Sequence, residues 1–399
     1  MQSSSKIPMA SQTAPKRFAA WVALVYGTGF GLVGTHLPFF PVWLKAVGVD
    51  AAWIGIITAV PSVTRFTTLP FATSFAERHQ ALRGGIITMG FATTIGLAVV
   101  GSQHQTLLIF FAYAVTCIVW TPMVPLIDAY SLRGVRQYGL KYGPLRLWGS
   151  AAFVVGALAC GLLIDVIDAR YLIWIITGMA ALSALASLGL RPLAPSKAAP
   201  AALAGASALL RDRGFLAIII TSALIQSSHS AYYVVASIAW QQEGFGGLTI
   251  ASLWTLGVLA EIVVFALSPR FTLQASTLVM IAAGSAVTRW VITALAPPIA
   301  ILAPIQLMHG LTFGLTQVGI MGLMVHHVPG YIMARGQGYL AACSGIITGT
   351  TYMITGAIFA RYGQNVYFVM AMIAACGGLV MLSSRHRLTD HPHSAGSGG

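Results

Sequence analysis

Leu253-Trp-Thr-Leu-Gly-Val-Leu-Ala-Glu261-Ile-Val-Val-Phe-Ala-Leu-Ser268 decides how the fold is read. The run suits the oil of a bilayer everywhere except at Glu261. A carboxylate at that depth costs roughly 2.5–3.5 kcal/mol on insertion scales, so it is rare without a partner or a task. The rest of the chain offers candidates for both.

Of 399 residues, 57% are apolar and only 8% charged, with a mean hydropathy of +0.81. A soluble domain carries about 25% charged residues, so this composition cannot dress a water-facing surface. Runs of about 20 apolar residues recur along the whole length, the signature of transmembrane helices. The net charge of +13 would suit nucleic acid, but it is confined to short loops between apolar runs. The partner it implies is the lipid bilayer, not nucleic acid. Cys117, Cys160, Cys343 and Cys376 fall inside apolar runs without metal-ligand spacing. They read as small packing residues, with no disulfide, metal or other cofactor expected. The first apolar run follows Lys16-Arg17 as a signal peptide would. It is too long, is interrupted by His36 and Pro38 and lacks a small-residue cleavage pattern, so it reads as a membrane helix.

Twelve spans are predicted, over 18–43, 53–73, 84–102, 107–131, 144–166, 169–190, 214–240, 247–268, 274–295, 299–326, 335–360 and 365–384. They set a tail over 1–17, a six-helix bundle over 18–190, a linker over 191–213, a second six-helix bundle over 214–384 and a tail over 385–399. The linker is rich in Ala and Pro and carries Arg191, Lys197, Arg211 and Arg213. The fold class is therefore all-α integral membrane, with twelve transmembrane helices in two pseudo-symmetric bundles. That hydropathy pattern belongs to transporters built from two related halves. About 17 of the 22 Lys and Arg residues lie in the tails, the linker and the even-to-odd loops, against Lys45, Arg170 and Arg361 in the others. The positive-inside rule then puts both termini in the cytoplasm. Glycines within spans, such as Gly27, Gly29, Gly31 and Gly34 or Gly345, Gly349 and Gly356, read as close helix packing, with a hinge as the alternative.

Ionisable residues within the spans are few: His36, Arg65, Asp128 and Arg146 in the first half, His229, Glu261, Arg289 and His309 in the second. At 1.5 Å per residue, Glu261 and Arg289 differ in depth by roughly 10 Å, a gap two long side chains span if both lean. A carboxylate that alternately gains and loses an arginine partner can load and release a proton. Asp128 late in span 4 and Arg146 at the start of span 5 share the cytoplasmic side and can meet; Arg65 and Arg133 compete for the acid. In span 7, Gln226, His229 and Tyr233 fall on one stripe beside Tyr232; in span 10, Gln306, His309, Phe313 and Gln317 do the same. Lipid would not face Gln and His, so these stripes point to helix packing or to a cavity. Tyr232, Tyr233, Phe313 and Trp120 supply flat area either to the core or to an aromatic ligand.

Several spaced motifs carry two resemblances. Tyr142-Gly-Pro-Leu-Arg146-Leu-Trp-Gly-Ser150, with Asp128 at 146 − 128 = 18 positions before Arg146, resembles the start of helix 5 in the oligosaccharide/proton symporters of the lactose permease type. Glu261 matches their helix-8 acid, Phe153 falls where they stack a sugar on Trp, and Arg289 and His309 (309 − 289 = 20) match their helix-9 Arg and helix-10 His. Thr312 stands where that family keeps a proton-carrying acid, which leaves Glu261 to carry the proton. The acidic-basic signature usual after helix 2 survives only as Glu77-Arg78 with Arg83. A fuller resemblance, over nearly the whole chain, is to the phenylpropionate permease group of the major facilitator superfamily. It rests on Leu37-Pro-Phe-Phe-Pro-Val-Trp-Leu-Lys45, Pro122-Met-Val-Pro-Leu-Ile-Asp128-Ala, Tyr142 to Ser150, His229-Ser-Ala-Tyr-Tyr233, Leu253 to Ser268, Arg289-Trp290 and Gln306-Leu-Met-His309.

The resemblance implies the twelve-helix fold of that superfamily in a bacterial inner membrane, acting as a monomer. It implies symport of protons with a small organic solute, an aromatic carboxylic acid being the group's substrate class. Glu261, Arg289 and His309 would couple the proton. Asp128, Arg146, Phe153, His229, Tyr233, Gln226, Gln306, Arg65 and His36 would contact substrate, with Arg146, Arg65 or Arg289 taking a carboxylate. Efflux of hydrophobic compounds and proton symport of a sugar or nucleoside stay open as alternatives. A membrane enzyme needs converging acids or ligands; only Asp165 with Asp168 and His326 with His327 offer themselves, so none is expected.

Overall fold

The computed structural model describes residues 10–78, 81–140, 142–194, 209–329 and 332–389. Most of the predicted linker with Lys197, the outer parts of both tails and the side chains of Glu77 and Arg78 lie outside the described residues. The described chain is a succession of helices without a strand among the described residues. They are α1 (Ala10–Ala46), α2 (Ala51–Arg78), α3 (Leu82–Gly101), α4 (Thr106–Trp120), α5 (Met123–Tyr138), α6 (Tyr142–Ile164), α7 (Leu172–Ser187), α8 (Arg213–Ser227) and α9 (Ser230–Gln242). There follow α10 (Gly247–Leu267), α11 (Ala275–Ala294), α12 (Ile299–His309), α13 (Leu315–His327), α14 (Met333–Tyr362) and α15 (Val366–Thr389). Among the described residues ten stretches are long and apolar enough to cross a membrane, and one of them, 335–386, covers most of both α14 and α15. With α2 these account for the twelve predicted spans.

Three of those spans are not single helices. The fourth is interrupted at Thr121-Pro122 between α4 and α5, where Pro122 and Pro125 lack the N–H groups that a regular helix would use. The seventh breaks at Ser228-His229 between α8 and α9. The tenth passes from α12 to α13 through one wide turn with π-type hydrogen bonding, Gly310–Gly314, bounded by the two residues that stabilise a helix least after proline.

The chain divides into two compact units, Met1–Phe40 with Thr67–Ala198, and Pro41–Phe66 with Ala199–Gly399. In the first, α3 packs against α4 and α7, over a core that includes Phe18, Tyr26, Ile86, Leu126 and Tyr130. Gly34 permits a close backbone approach there: a Cβ on it would sit 2.2 Å from the Phe153 carbonyl oxygen of α6. In the second, α11 and α8 pack on α15, and α8 on α14, around Phe215, Ile218, Val279, Ile320 and Met324. Segment 41–66 joins this unit through α2 and α14, where a Cβ on Gly356 would meet the Ala51 carbonyl oxygen at 2.3 Å. The division departs here from the sequence boundaries, which keep 41–66 with the first bundle. Ile95, Val155, Met372 and Leu379 point outward uncovered, as a lipid-facing surface requires.

Candidate functional site

Arg289 of α11 has no accessible surface. Its Nη1 donates to His309 Nδ1 at 3.0 Å and to Thr312 Oγ1 at 3.2 Å, and its Nη2 donates to Gln306 Oε1 at 3.0 Å. Trp290 and Tyr232 lie against the guanidinium, 4.5 and 4.8 Å from its carbon to their ring centres. No carboxylate lies within ion-pair distance of it among the described residues, and its Nε finds no acceptor. A buried charge without a counter-ion costs several kcal/mol. Neutral acceptors and aromatic faces offset part of that cost here.

The donors of arginine fix the histidine. An Arg N–H can only donate, so His309 Nδ1 must accept and its hydrogen must sit on Nε2. That nitrogen points to Glu261 Oε2 at 3.7 Å. The expected Glu261–Arg289 relation is therefore bridged by His309, which faces the base with one nitrogen and the acid with the other. Glu261 retains 24% side-chain exposure against 6% for His309. The approach of its helix depends on glycine, since a Cβ on Gly310 would meet the Ala260 carbonyl oxygen at 2.6 Å.

The break between α8 and α9 reads Gln226-Ser-Ser-His-Ser230. His229 N–H turns back to Gln226 O at 3.1 Å, which withdraws it from the Ile225 carbonyl a regular helix would give it. Side chains replace it: Ser228 Oγ donates to Ile225 O at 2.6 Å, and His229 Nδ1 lies 3.2 Å from both Ile225 O and Gln226 O. Ser227 and Ser230 bond back in the same way. Hydroxyls so placed compete with the helical ladder and bend it. His229 Nε2 meets Thr312 Oγ1 at 2.9 Å. Tyr233 and Phe313 lie beside the His229 ring at 6.2 and 6.1 Å, and Tyr232 packs on Trp254 at 4.3 Å. Both polar atoms of the Gln226 amide are buried without a protein partner.

In the first unit Asp128 accepts from Tyr26 Oη at 2.5 Å and Tyr142 Oη at 2.8 Å. It forms no ion pair with Arg146 among the described residues. The Arg146 guanidinium instead stands 3.9 Å over the Phe30 ring and 5.6 Å from that of Tyr26. Arg146 finds no hydrogen-bond acceptor among the described residues, so its planar fork is available to a ligand. Arg133 donates to the Ala194 carbonyl. Arg65 is exposed and falls in the second unit, in electrostatic contact with Tyr352. Phe153 is buried against α1 at Gly34. His36 sits among Phe40, Trp120 and Tyr113, with its Nε2 3.2 Å from Tyr113 Oη.

The structure thus gathers Glu261, Arg289, His309, Gln306, His229 and Tyr233 in one cluster, and Asp128 with Arg146 in another. Thr312, Tyr26 and Tyr142 complete these clusters and were not among the sequence-derived site residues. The pairs an enzyme would have needed have other duties: Asp168 accepts from Arg170 N–H at 2.9 Å, and His327 pairs with Asp212 at 3.0 Å.

The model of the MFS_1 like family matches residues 20–375. The chain is 30% identical over 367 residues to the probable 3-phenylpropionic acid transporter of Escherichia coli (strain K12), covering 89% of this chain and 94% of that one. It is 25% identical to the maltose permease of Geobacillus stearothermophilus, covering 90% and 92%. The crystal structure of the nucleoside transporter NupG superposes with a TM-score of 0.80 at 15% identity, covering 92% of this chain and 98% of that one, which speaks for the fold alone. Apolar spans, broken helices lined with buried polar groups and a match over nine-tenths of the length converge: the chain belongs to the MFS_1-like family, and it is a multi-pass membrane transporter of the major facilitator superfamily, not an enzyme.

Proposed function

We propose that the protein takes up a small organic acid together with protons by alternating access, with an aromatic carboxylate as the preferred substrate. The observation that carries the reading is the Glu261–His309–Arg289 chain, a carboxylate separated by one imidazole from a buried guanidinium. Such a carboxylate is poised to exchange a proton when solvent or substrate alters its surroundings. The name of the E. coli relative, a probable 3-phenylpropionic acid transporter, supports the substrate class. Arg146 on its Phe30 shelf supports it too, as a cation with free donors beside aromatic area.

On this reading the chain sits in a bacterial inner membrane as a monomer, both termini cytoplasmic, with two six-helix halves over 18–190 and 214–384. Glu261 loads the proton and Arg146 holds the substrate carboxylate. Symport of one proton with one monovalent anion moves no net charge. The pH gradient then drives it, each unit supplying about 1.4 kcal/mol, or tenfold accumulation.

The test uses the purified protein in liposomes with labelled 3-phenylpropionate, with and without a protonophore. Glu261→Gln is expected to lose accumulation driven by an inside-alkaline gradient while keeping exchange across equilibrated membranes. Full accumulation by Glu261→Gln would overturn the coupling role, and wild-type accumulation indifferent to protonophore would overturn symport.

A further inference from the structure

The hydrogen bonds around Arg289 have only one direction each, and that direction can be traced from both ends. At the break in the seventh span, His229 Nδ1 faces two backbone carbonyls, which accept only, so it carries the hydrogen. Its Nε2 is then a bare lone pair, and the Thr312 hydroxyl must donate to it. The Thr312 oxygen in turn receives Arg289 Nη1–H. On the other side the same Nη1 donates its second hydrogen to His309 Nδ1, leaving Nε2–H for Glu261. Arg289 is therefore the common donor of two arms. One runs through His309 to the carboxylate, the other through Thr312 and His229 to the carbonyls released by the break. Trp290, the next residue, donates its Nε1–H to Ser228 Oγ at 3.0 Å, so α11 grips both residues of the break.

We propose that Thr312 and His229 are positioning residues that transmit the protonation state of Glu261 to the break between α8 and α9. The inference rests on Glu261 being the coupling group. When Glu261 gains a proton, the negative charge 3.7 Å from the His309 Nε2–H disappears, and with it the electrostatic pull that orients the imidazole between Glu261 and Arg289. Because one guanidinium nitrogen serves both arms, any shift of Nη1 toward or away from His309 alters the bond to Thr312 at the same moment. The Thr312 hydroxyl gains little by turning, since its other acceptor, the His309 carbonyl, lies at 3.4 Å against 2.9 Å for His229 Nε2. His229 then carries the change to the Ile225 and Gln226 carbonyls, the atoms on which the bend of the span depends. Buried hydrogen bonds linked in series polarise and position one another, so the two arms respond together. The wide turn Gly310–Gly314 has the matching role: it brings Thr312 to His229 while His309, three residues earlier, remains on Arg289.

Hydrogen–deuterium exchange of the amides at 228–233, in the full-length protein in liposomes and corrected for the intrinsic pH dependence, reads the break directly. Wild type and Thr312→Ser, which keeps the hydroxyl, are expected to change protection with pH by roughly tenfold, the weight of about one hydrogen bond. Thr312→Val is expected to flatten that response while Glu261 still takes up its proton. Should Thr312→Val be unstable, Thr312→Ala removes the same hydroxyl without added bulk. Trp290→Phe is the control for a merely structural effect: it should lower protection equally at every pH and keep the response. A Thr312→Val profile parallel to wild type would overturn the proposal. Glu261→Gln separates the two levels of the argument. If it leaves the pH response intact, the coupling role of Glu261 fails; if it flattens the response and Thr312→Val does not, the arm alone fails.

Discussion

Asp128 accepts two hydroxyl hydrogens, from Tyr26 and Tyr142, with no cation beside it among the described residues. Hydrogen bonds to charged groups contribute about 1.5–3 kcal/mol each, so Tyr26→Phe should destabilise the protein by that order in thermal unfolding in detergent. The combined Tyr26→Phe and Tyr142→Phe variant should lose more than the sum of the two, since it leaves the acid without either donor. Arg146 is released from Asp128 by the same arrangement. Arg146→Lys should raise KM for an anionic substrate by tenfold or more, because an ammonium neither stacks on Phe30 nor offers a planar fork; an unchanged KM would remove Arg146 from the site. At this scale the sequence is legible where a residue is costly in oil. Glu261, Arg289 and His309 stand out for that reason. Tyr26, Tyr142 and Thr312 are neutral and suit a membrane helix, so nothing in their local pattern marks them as the partners that the charged groups require.

The breaks belong to the helices rather than to any one residue. The interruption at Pro122 follows from proline, whereas the break at Ser228-His229 lies inside a run whose hydropathy is continuous. Its signal is the cluster Ser227-Ser-His-Ser230, in which every side chain can replace a backbone donor. A hydropathy window averages that signal away. The turn at Gly310 should tolerate little: Gly310→Ala places a methyl against the Ala260 carbonyl and should separate Glu261 from His309, reducing proton-driven accumulation more than exchange. At the start of α8 Asp212 accepts from Phe215 N–H at 2.8 Å and from His327. Partial burial pushes its carboxyl up, but these donors outweigh it and hold the group below its ordinary value. A depressed carboxylate stabilises the fold above its unfolded pKa and loses that contribution as pH falls through the folded value. Asp212→Ala should therefore cost about 1 kcal/mol at neutral pH as a lost cap, with the difference from wild type closing in acid. Asp212→Asn should retain most of the cap. Melting curves at several pH values decide between them.

For the whole molecule, apolar runs and the placement of Lys and Arg carry most of the architecture, because a bilayer penalises every exposed backbone group and leaves helices as the spanning solution. Epitopes at both ends should accordingly be protected in intact cells and cleaved in inverted vesicles. The grouping of Pro41–Phe66 with the second unit was beyond such reasoning, since hydropathy says nothing about which helix a glycine such as Gly356 will touch. The burial of Arg289 has a consequence for energy conservation. With Glu261 ionised, acid and base cancel within the second unit. With Glu261 protonated and no anion bound, one positive charge remains uncompensated deep in the apolar phase, at the cost of its lost hydration. If Glu261 carries the proton as proposed, reorientation is discouraged for a carrier that holds a proton but no cargo, and the futile return of protons is suppressed. Arg289→Gln should abolish that barrier and appear as a substrate-independent proton current across the liposome membrane.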